Sequence, residues 1–399
     1  MLTHPDKPNP KQRSFLRLLS AVLLFAGLTA PGTSAASPPI HPVFAEAGAD
    51  PSNRREAPDW KAAYSNLVEV PLAEALGGGP LDDLDFAGLQ LAVERSVAYL
   101  SDLSTDRAAT IGNRSLTPEQ LIRSLGRLQL LLADQARPSL EELEALFVVY
   151  RSTPEGSMSK ATGYYEPVYS ARLERSEAYS WPIYPRPAKA RSPEDSREQI
   201  VFENSLKGRA EPLAWMANPV DVSILHIQGS AVLELGDGQI GRVNYDGSNG
   251  HRFYPIGRAL KDVIPRHKMS IGAIRSYLLD HPERWREILS KDASYVFLRR
   301  MAEGPMGTIQ QAVTAERSIA VDQKEVPLGA PCLIRIPQLR TESAKSSGPS
   351  IQRLVMAQDT GGAIKGPGRF DYFRGTGAEA EAKAGPMNEQ AELFVLLPR

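Results

Sequence analysis

From Tyr150 onward, proline and glycine cut the chain into short runs, and this most limits what it can fold into. The runs include Gly163-Tyr164-Tyr165-Glu166-Pro167-Val168-Tyr169, Trp181-Pro182-Ile183-Tyr184-Pro185 and Val222-Ser223-Ile224-Leu225-His226-Ile227, then residues 231–235. Such runs, rich in aromatic and branched residues, read as strands. The triplet Gly236-Asp237-Gly238 reads as a hairpin connector into a strand over 240–243. Many short strands divided by turns argue for barrels. A helical island is expected over 270–289, interrupted near Pro282, followed by strands to the C-terminus with a polar loop over 341–350. The single cysteine, Cys332, allows no intramolecular disulfide, so the fold must rest on its core. It lies in an apolar run and is read as a buried thiol.

The region before Tyr150 has a different texture. Helices are expected over 81–103, from Thr117-Pro118-Glu119-Gln120 onward, and from Ser139 onward. Residues 37–59 read as a disordered leader. Residues 1–36 carry basic residues, then an apolar run from Leu18 to Leu28, then Thr33-Ser34-Ala35-Ala36, the order of a secretory signal. No cysteine follows the apolar run, which argues against a lipoprotein anchor, so the mature chain is expected to be soluble or held by an uncleaved signal. With 46 Lys+Arg against 47 Asp+Glu, nothing steers the chain toward nucleic acid.

Four polar clusters stand out against this background: Ala161-Thr162-Gly163-Tyr164-Tyr165-Glu166, His226-Ile227-Gln228-Gly229-Ser230, Asn244-Tyr245-Asp246-Gly247-Ser248-Asn249-Gly250-His251, and Gln358-Asp359-Thr360-Gly361-Gly362-Ala363-Ile364-Lys365-Gly366 closed by Arg369-Phe370-Asp371-Tyr372-Phe373. Amides, hydroxyls, glycines and rings suit a sugar, because amides and hydroxyls bind its hydroxyls while rings cover its apolar faces. Asp371 sits between two aromatics, where partial desolvation would suit a general acid, although strict alternation points its side chain away from both rings. Asp359, beside a Gly pair, reads as a turn-forming or supporting residue. The six histidines, His4, His41, His226, His251, His267 and His281, show no ligand-like spacing. No metal and no cofactor are expected.

In this order the four clusters resemble the membrane-bound lytic murein transglycosylase A family, and the segment from Asp359 to Gly377 resembles its "3D" segment. The resemblance covers roughly residues 161–399. It implies a mainly β fold, with a double-psi β-barrel catalytic domain from residues 60–161 plus 295–399, N-terminal helices, and a smaller inserted β domain over 162–294. It implies Asp371 as the proton-transferring residue and Asp359 as its companion. The implied glycan contacts are Thr162, Tyr164, Tyr165, Gln228, Gly229, Ser230, Tyr245, Asn249, Gly250 and Lys365. Asp246 departs from the small residue expected at that point of the motif. The implied reaction is non-hydrolytic cleavage of the β-1,4 bond between N-acetylmuramic acid and N-acetylglucosamine, giving a 1,6-anhydromuramic end, a lyase reaction in the periplasm of a Gram-negative-type envelope. Peptidoglycan strands are the expected partner of a monomer, with peripheral attachment to the membrane or a cell-wall complex left open. A hydrolase pairing Asp371 with Asp246, Glu166 or Asp359, and a glycan binder without turnover, are the alternatives.

Overall fold

The computed structural model describes residues 60, 63–103, 107–133, 137–152, 158–187, 195–337 and 350–399. The expected signal, leader and most of the polar loop over 341–350 lie outside these residues. The strands run β1 (Val68–Val70), β2 (Ala109–Ile111), β3 (Arg114–Leu116), β4 (Phe147–Arg151), β5 (Ser159–Glu166), β6 (Val168–Arg172), β7 (Trp181–Ile183) and β8 (Ala214–Met216). They continue with β9 (Ser230–Gly236), β10 (Gln239–Ser248), β11 (Val296–Met301), β12 (Ser318–Val321), β13 (Pro331–Ile336), β14 (Ile351–Asp359), β15 (Phe370–Thr376) and β16 (Asn388–Pro398).

The larger sheet has the order β1-β4-β16-β13-β14-β12-β15-β5, and β16 also pairs with β5. That extra pairing closes β16, β13, β14, β12, β15 and β5 into a six-stranded ring. Closure removes the exposed edges that an open sheet would leave. Two of its pairings are parallel, β12 with β14 and β5 with β15. Its strands β13, β14 and β16 carry fully buried apolar residues on both faces, with Leu333 and Phe394 on one face and Val355 and Val395 on the other. Cys332 lies across from Val355 and Val395 and is buried, as expected, and burial pushes its thiol up and out of the reactive range.

The smaller sheet has the order β11-β10-β9-β6-β8-β7. The expected hairpin joins β9 to β10, with Asp237 and Gly238 at φ 50° and 73°, the double positive φ that a tight antiparallel turn requires. The expected helical island is present as Ile271–Asp280 and Trp285–Leu289, broken at Pro282.

Two expectations are corrected. The run from Val222 to Ile227 is not a strand but part of a helix, Pro219–Gln228, capped by the Asn218 side chain and ended by Gly229 at φ 81°. Its apolar residues face two cores, Val222 and Leu225 toward the smaller sheet and Val220 and Ile224 toward the helices after it. No polar stripe therefore reveals the helical period. The helix expected over 81–103 is confined to Leu89–Ser101. Residues ahead of it turn because Asp82 and Asp83 are drawn onto the barrel. Asp82 pairs with Arg317 at 2.5 Å, both side chains fully buried, and Asp83 pairs with Arg353 at 2.6 Å. The helices at Pro118–Ala133 and Leu140–Leu146 start as expected, the second in a complete capping box from Ser139 and Glu142.

Candidate active site

The register of the closed ring sets one line of side chains across its strands. On β12, Ala320 lies opposite Asp359 of β14 on one side and Asp371 of β15 on the other. Asp371 in turn lies opposite Thr162 of β5. Residues paired in register share a face, so Asp359, Ala320, Asp371 and Thr162 form a row. Two strand spacings put the two aspartates roughly 10 Å apart at Cα. Alanine, with only a methyl group, places no polar group between the carboxylates, and it is buried.

Alternation along β15 works as expected: Phe370 and Tyr372 are fully buried while Asp371 keeps 23% of its side chain exposed. Its carboxylate does not sit unpaired among rings. It accepts a hydrogen bond from the Thr162 hydroxyl, and Arg369 Nη1 lies 2.5 Å from Oδ1. Arg369 also donates to the Thr162 hydroxyl at 2.9 Å. The apolar surroundings expected for Asp371 are thus replaced by a cation, because the Arg369 side chain turns back across the row.

Asp359 is held differently. Its Oδ1 accepts from the Thr308 amide at 2.9 Å, the Thr308 hydroxyl at 3.0 Å and the Thr360 amide at 2.8 Å. Its Oδ2 accepts from the Tyr164 hydroxyl at 3.3 Å. Burial pushes the Tyr164 phenol well up, and the charges of Asp359 and Asp371 add to this, so it stays a neutral donor. The Tyr164 ring packs on Phe373 at 5.1 Å between centroids.

Alternation on β5 separates the expected glycan residues. Thr162 and Tyr164 share the face of the row. Gly163 and Tyr165 take the other face, where a Cβ on Gly163 would lie 2.7 Å from Ala384 Cα and Tyr165 packs on Ala380 and Ala384. Gly163 is thus required by the close approach of the helix Ala378–Ala384, and Tyr165 is a packing residue. Asn249 is also corrected. Its amide is buried, donates to Asp195 O and Ala293 O at 2.9 and 2.8 Å, and accepts from Tyr295 N at 2.8 Å. It shapes the loop and leaves no group for a ligand.

The remaining expected residues come from the smaller sheet and the turns. Gln228 Oε1 accepts from Tyr165 N at 3.2 Å, and Gly229 O accepts from Tyr245 N at 2.7 Å, so this pair borders the end of β5. Ser230 is buried at the start of β9, whereas Gly250 and Lys365 are exposed. His226, on the helix rather than a strand, is buried against Arg197 at 3.0 Å, and burial pushes its imidazole well down. Glu166 is buried and paired with Arg242 at 3.0 Å. Asp246 faces the charges of Arg299 and Arg186, and burial pushes its carboxyl up.

Sequence reasoning missed Thr308 and Arg369. Thr308 lies in a segment tied to the smaller sheet, where Arg242 donates to Gly304 O at 2.5 Å and Asn244 exchanges bonds with Met306 at 3.0 and 3.3 Å. Nothing local in the sequence marks Thr308. Arg369 had a local signal, its place two residues before Asp371 and directly after the turn Gly366-Pro367-Gly368.

Two family models match: the MltA specific insert domain over residues 160–299 and the 3D domain over 317–397. The chain belongs to the MltA family. It is 35% identical over 240 residues to membrane-bound lytic murein transglycosylase A of Escherichia coli (strain K12), a match over 59% of this chain and 64% of that protein. It is 31% identical over 229 residues to the protein of that name from Vibrio cholerae, over 56% and 61% of the two chains. The matches thus span less than two thirds of these relatives. The crystal structure of a membrane-bound lytic murein transglycosylase from Agrobacterium tumefaciens superposes with TM-score 0.70 at 29% identity, covering 84% of this chain and 98% of that one. MltA from Neisseria gonorrhoeae gives 0.63 at 26%, over 79% and 88%. The sheet-rich architecture described above is therefore that of MltA structures.

Proposed function

We propose that this MltA family member is a lytic transglycosylase. It would cleave the β-1,4 bond between N-acetylmuramic acid and N-acetylglucosamine in peptidoglycan and leave a 1,6-anhydromuramic end. Asp371 is the proton-transferring residue in this reading. As the acid it donates to the leaving glycosidic oxygen. As the resulting carboxylate it takes the proton from the muramic 6-hydroxyl while that oxygen attacks C1. The substrate supplies the nucleophile, so no second carboxylate is needed to activate water.

The observation that carries this reading is the contrast along the row. Asp371 is partly exposed and held by side chains alone, whereas Asp359 Oδ1 is already engaged by two backbone amides and a hydroxyl. A carboxylate so engaged is a poor base and a good support. Glu166 is buried and paired with Arg242, which withdraws it as the second carboxylate of the hydrolase alternative. The names of the relatives add support. Thr162, Tyr164, Gln228, Gly229, Tyr245, Gly250 and Lys365 remain the proposed glycan contacts.

The six-stranded ring with its two parallel pairings is proposed to be the double-psi barrel, with the inserted domain supplied by the smaller sheet. Export to the periplasm follows from the signal-like N-terminus. No helix among the described residues is long and apolar enough to cross a membrane. Digestion of isolated sacculi, with mass spectrometry of the products, tests the reaction. A 1,6-anhydro end is one water lighter than a reducing end, and reducing ends alone would overturn the transglycosylase reading in favour of hydrolysis.

A further inference from the structure

The row of the proposed site is flanked by cations from two parts of the chain. Lys160, Thr162 and Tyr164 alternate along β5 and share one face, which puts Lys160 on the face of Thr162 and Asp371. Lys160 is exposed. Arg369 lies next to it and donates to Lys160 O at 3.1 Å. The inserted region contributes the exposed turn Arg266–Lys268, basic at all three residues. Arg266 is near enough to act on the Lys160 ammonium. Partial burial, then the charges of Arg369 and Arg266, hold that ammonium down from the usual lysine range, while Asp371 acts the other way. Nearby carboxylates do not balance these charges. Asp371 is paired with Arg369 at 2.5 Å. Asp322 accepts from Gly366 N at 3.0 Å and Lys324 N at 3.2 Å, and Gly368 N donates to the Ser152 hydroxyl at 3.1 Å, which together fix the turn that carries Arg369. Among the described residues no carboxylate forms an ion pair with Lys160 or Arg266. Like charges gathered in this way repel one another, and an anion set among them removes the repulsion.

We infer that Lys160 and Arg266 bind the free carboxylates of the peptide stem carried by the muramic acid residue, beside the point of cleavage. The inference rests on peptidoglycan being the substrate and deepens that reading. The chemistry of the strand selects the ligand. Its N-acetylated sugar rings are neutral, and in an intact strand the muramic lactyl carboxyl is taken up in an amide to the stem. The free carboxylates therefore belong to the peptide. The stem leaves the same sugar whose C1 would react at Asp371, so cations beside Asp371 are where its acids would be met. An ammonium and a guanidinium on exposed, flexible side chains can follow a peptide through more than one conformation. They add selectivity for stem-bearing strands and take no part in proton transfer.

The test is calorimetric titration of the full chain with two synthetic ligands. Both are N-acetylglucosaminyl-N-acetylmuramic acid bearing an alanyl-isoglutamyl stem, one with free stem carboxylates and one with these converted to carboxamides. The disaccharide ends at the muramic C1 and lacks the bond the enzyme would cleave, so binding is read without turnover. Exposed charge pairs each change an affinity by roughly 1.5- to 5-fold, so wild type should bind the acid form roughly 2- to 25-fold more tightly than the carboxamide form. The preference should shrink as salt is raised. It should fall in Lys160→Gln and in Arg266→Gln, vanish in the double variant, and survive in Arg266→Lys, while the Kd of the carboxamide form stays the same. Equal binding of the two forms by wild type would overturn the inference, whether or not the variants fold. A full preference retained by the double variant would also overturn it. Failure of the catalytic reading shows elsewhere, as reducing ends in the digestion of sacculi, and leaves this comparison of ligands standing.

Discussion

The substitution Asp359→Asn separates one-carboxylate from two-carboxylate chemistry. It keeps the size of the side chain and an oxygen facing the Thr308 and Thr360 amides but removes the charge. Three donors reach Oδ1 at 2.8–3.0 Å. Bonds to a charged acceptor contribute about 1.5–3 kcal/mol each and neutral ones about 0.5–1.5. The raw loss is thus roughly 1 kcal/mol per bond. Because Asp359 is partly exposed, water recovers some of it, and a net loss of about 1–2 kcal/mol is expected. If all of that appeared as misplacement of the neighbouring row, turnover would fall about tenfold, since 1.4 kcal/mol is a factor of ten. A water-activating base would instead be worth about 10²–10⁴-fold. Initial rates of muropeptide release, with thermal unfolding of the same samples, decide the matter. A thousandfold loss in a variant that melts within a few degrees of wild type would refute the supporting role of Asp359.

The fold makes its own predictions. Asp82→Ala leaves Arg317 charged, buried and unpaired, which should cost about 3–5 kcal/mol and lower the melting temperature by on the order of 10 °C; calorimetry showing almost no change would mean that water reaches the guanidinium. Burial pushes the Tyr164 and Tyr372 phenols well up, aided by the nearby carboxylates. In the unfolded chain these phenols ionise near pH 10, so the folded state holds more protons above that pH. Their stabilising contribution is full below about pH 10 and is lost as pH rises beyond it. Urea unfolding between about pH 9 and 11 should show this fall, and Tyr164→Phe should make it shallower.

Much of this architecture could be read locally, wherever one short segment holds its own signal. The starts at Thr117 and Ser139 carried their caps, and Gly236-Asp237-Gly238 carried its turn. The helix Pro219–Gln228 also had start and stop residues, Asn218-Pro219 and Gly229, but its run of Val, Ile and Leu is buried on several sides and has no polar face to show the period. The turn over 81–88 was hidden for the opposite reason: its partners, Arg317 and Arg353, lie more than 200 residues away in the chain. The site divides in the same manner. Alternation on β5 and β15 was sufficient to place Asp371, but only the register of β12 against two strands at once shows that Ala320 separates the two carboxylates. Tyr165 and Asn249 looked like ligands by composition. Long-range packing against Ala380 and Ala384, and against the 293–295 segment, gives them other work. Arg369 was visible as a residue, yet its aim depends on a turn anchored by Ser152 and Asp322 from elsewhere in the barrel.

The most direct measurement is product analysis of purified wild type and Asp371→Ala on isolated sacculi. Wild type should release muropeptides with 1,6-anhydro ends, and Asp371→Ala should release them at least about 10²-fold more slowly while still binding the sacculi. Digestion by Asp371→Ala at the wild-type rate would contradict the assignment of Asp371 as the proton-transferring residue.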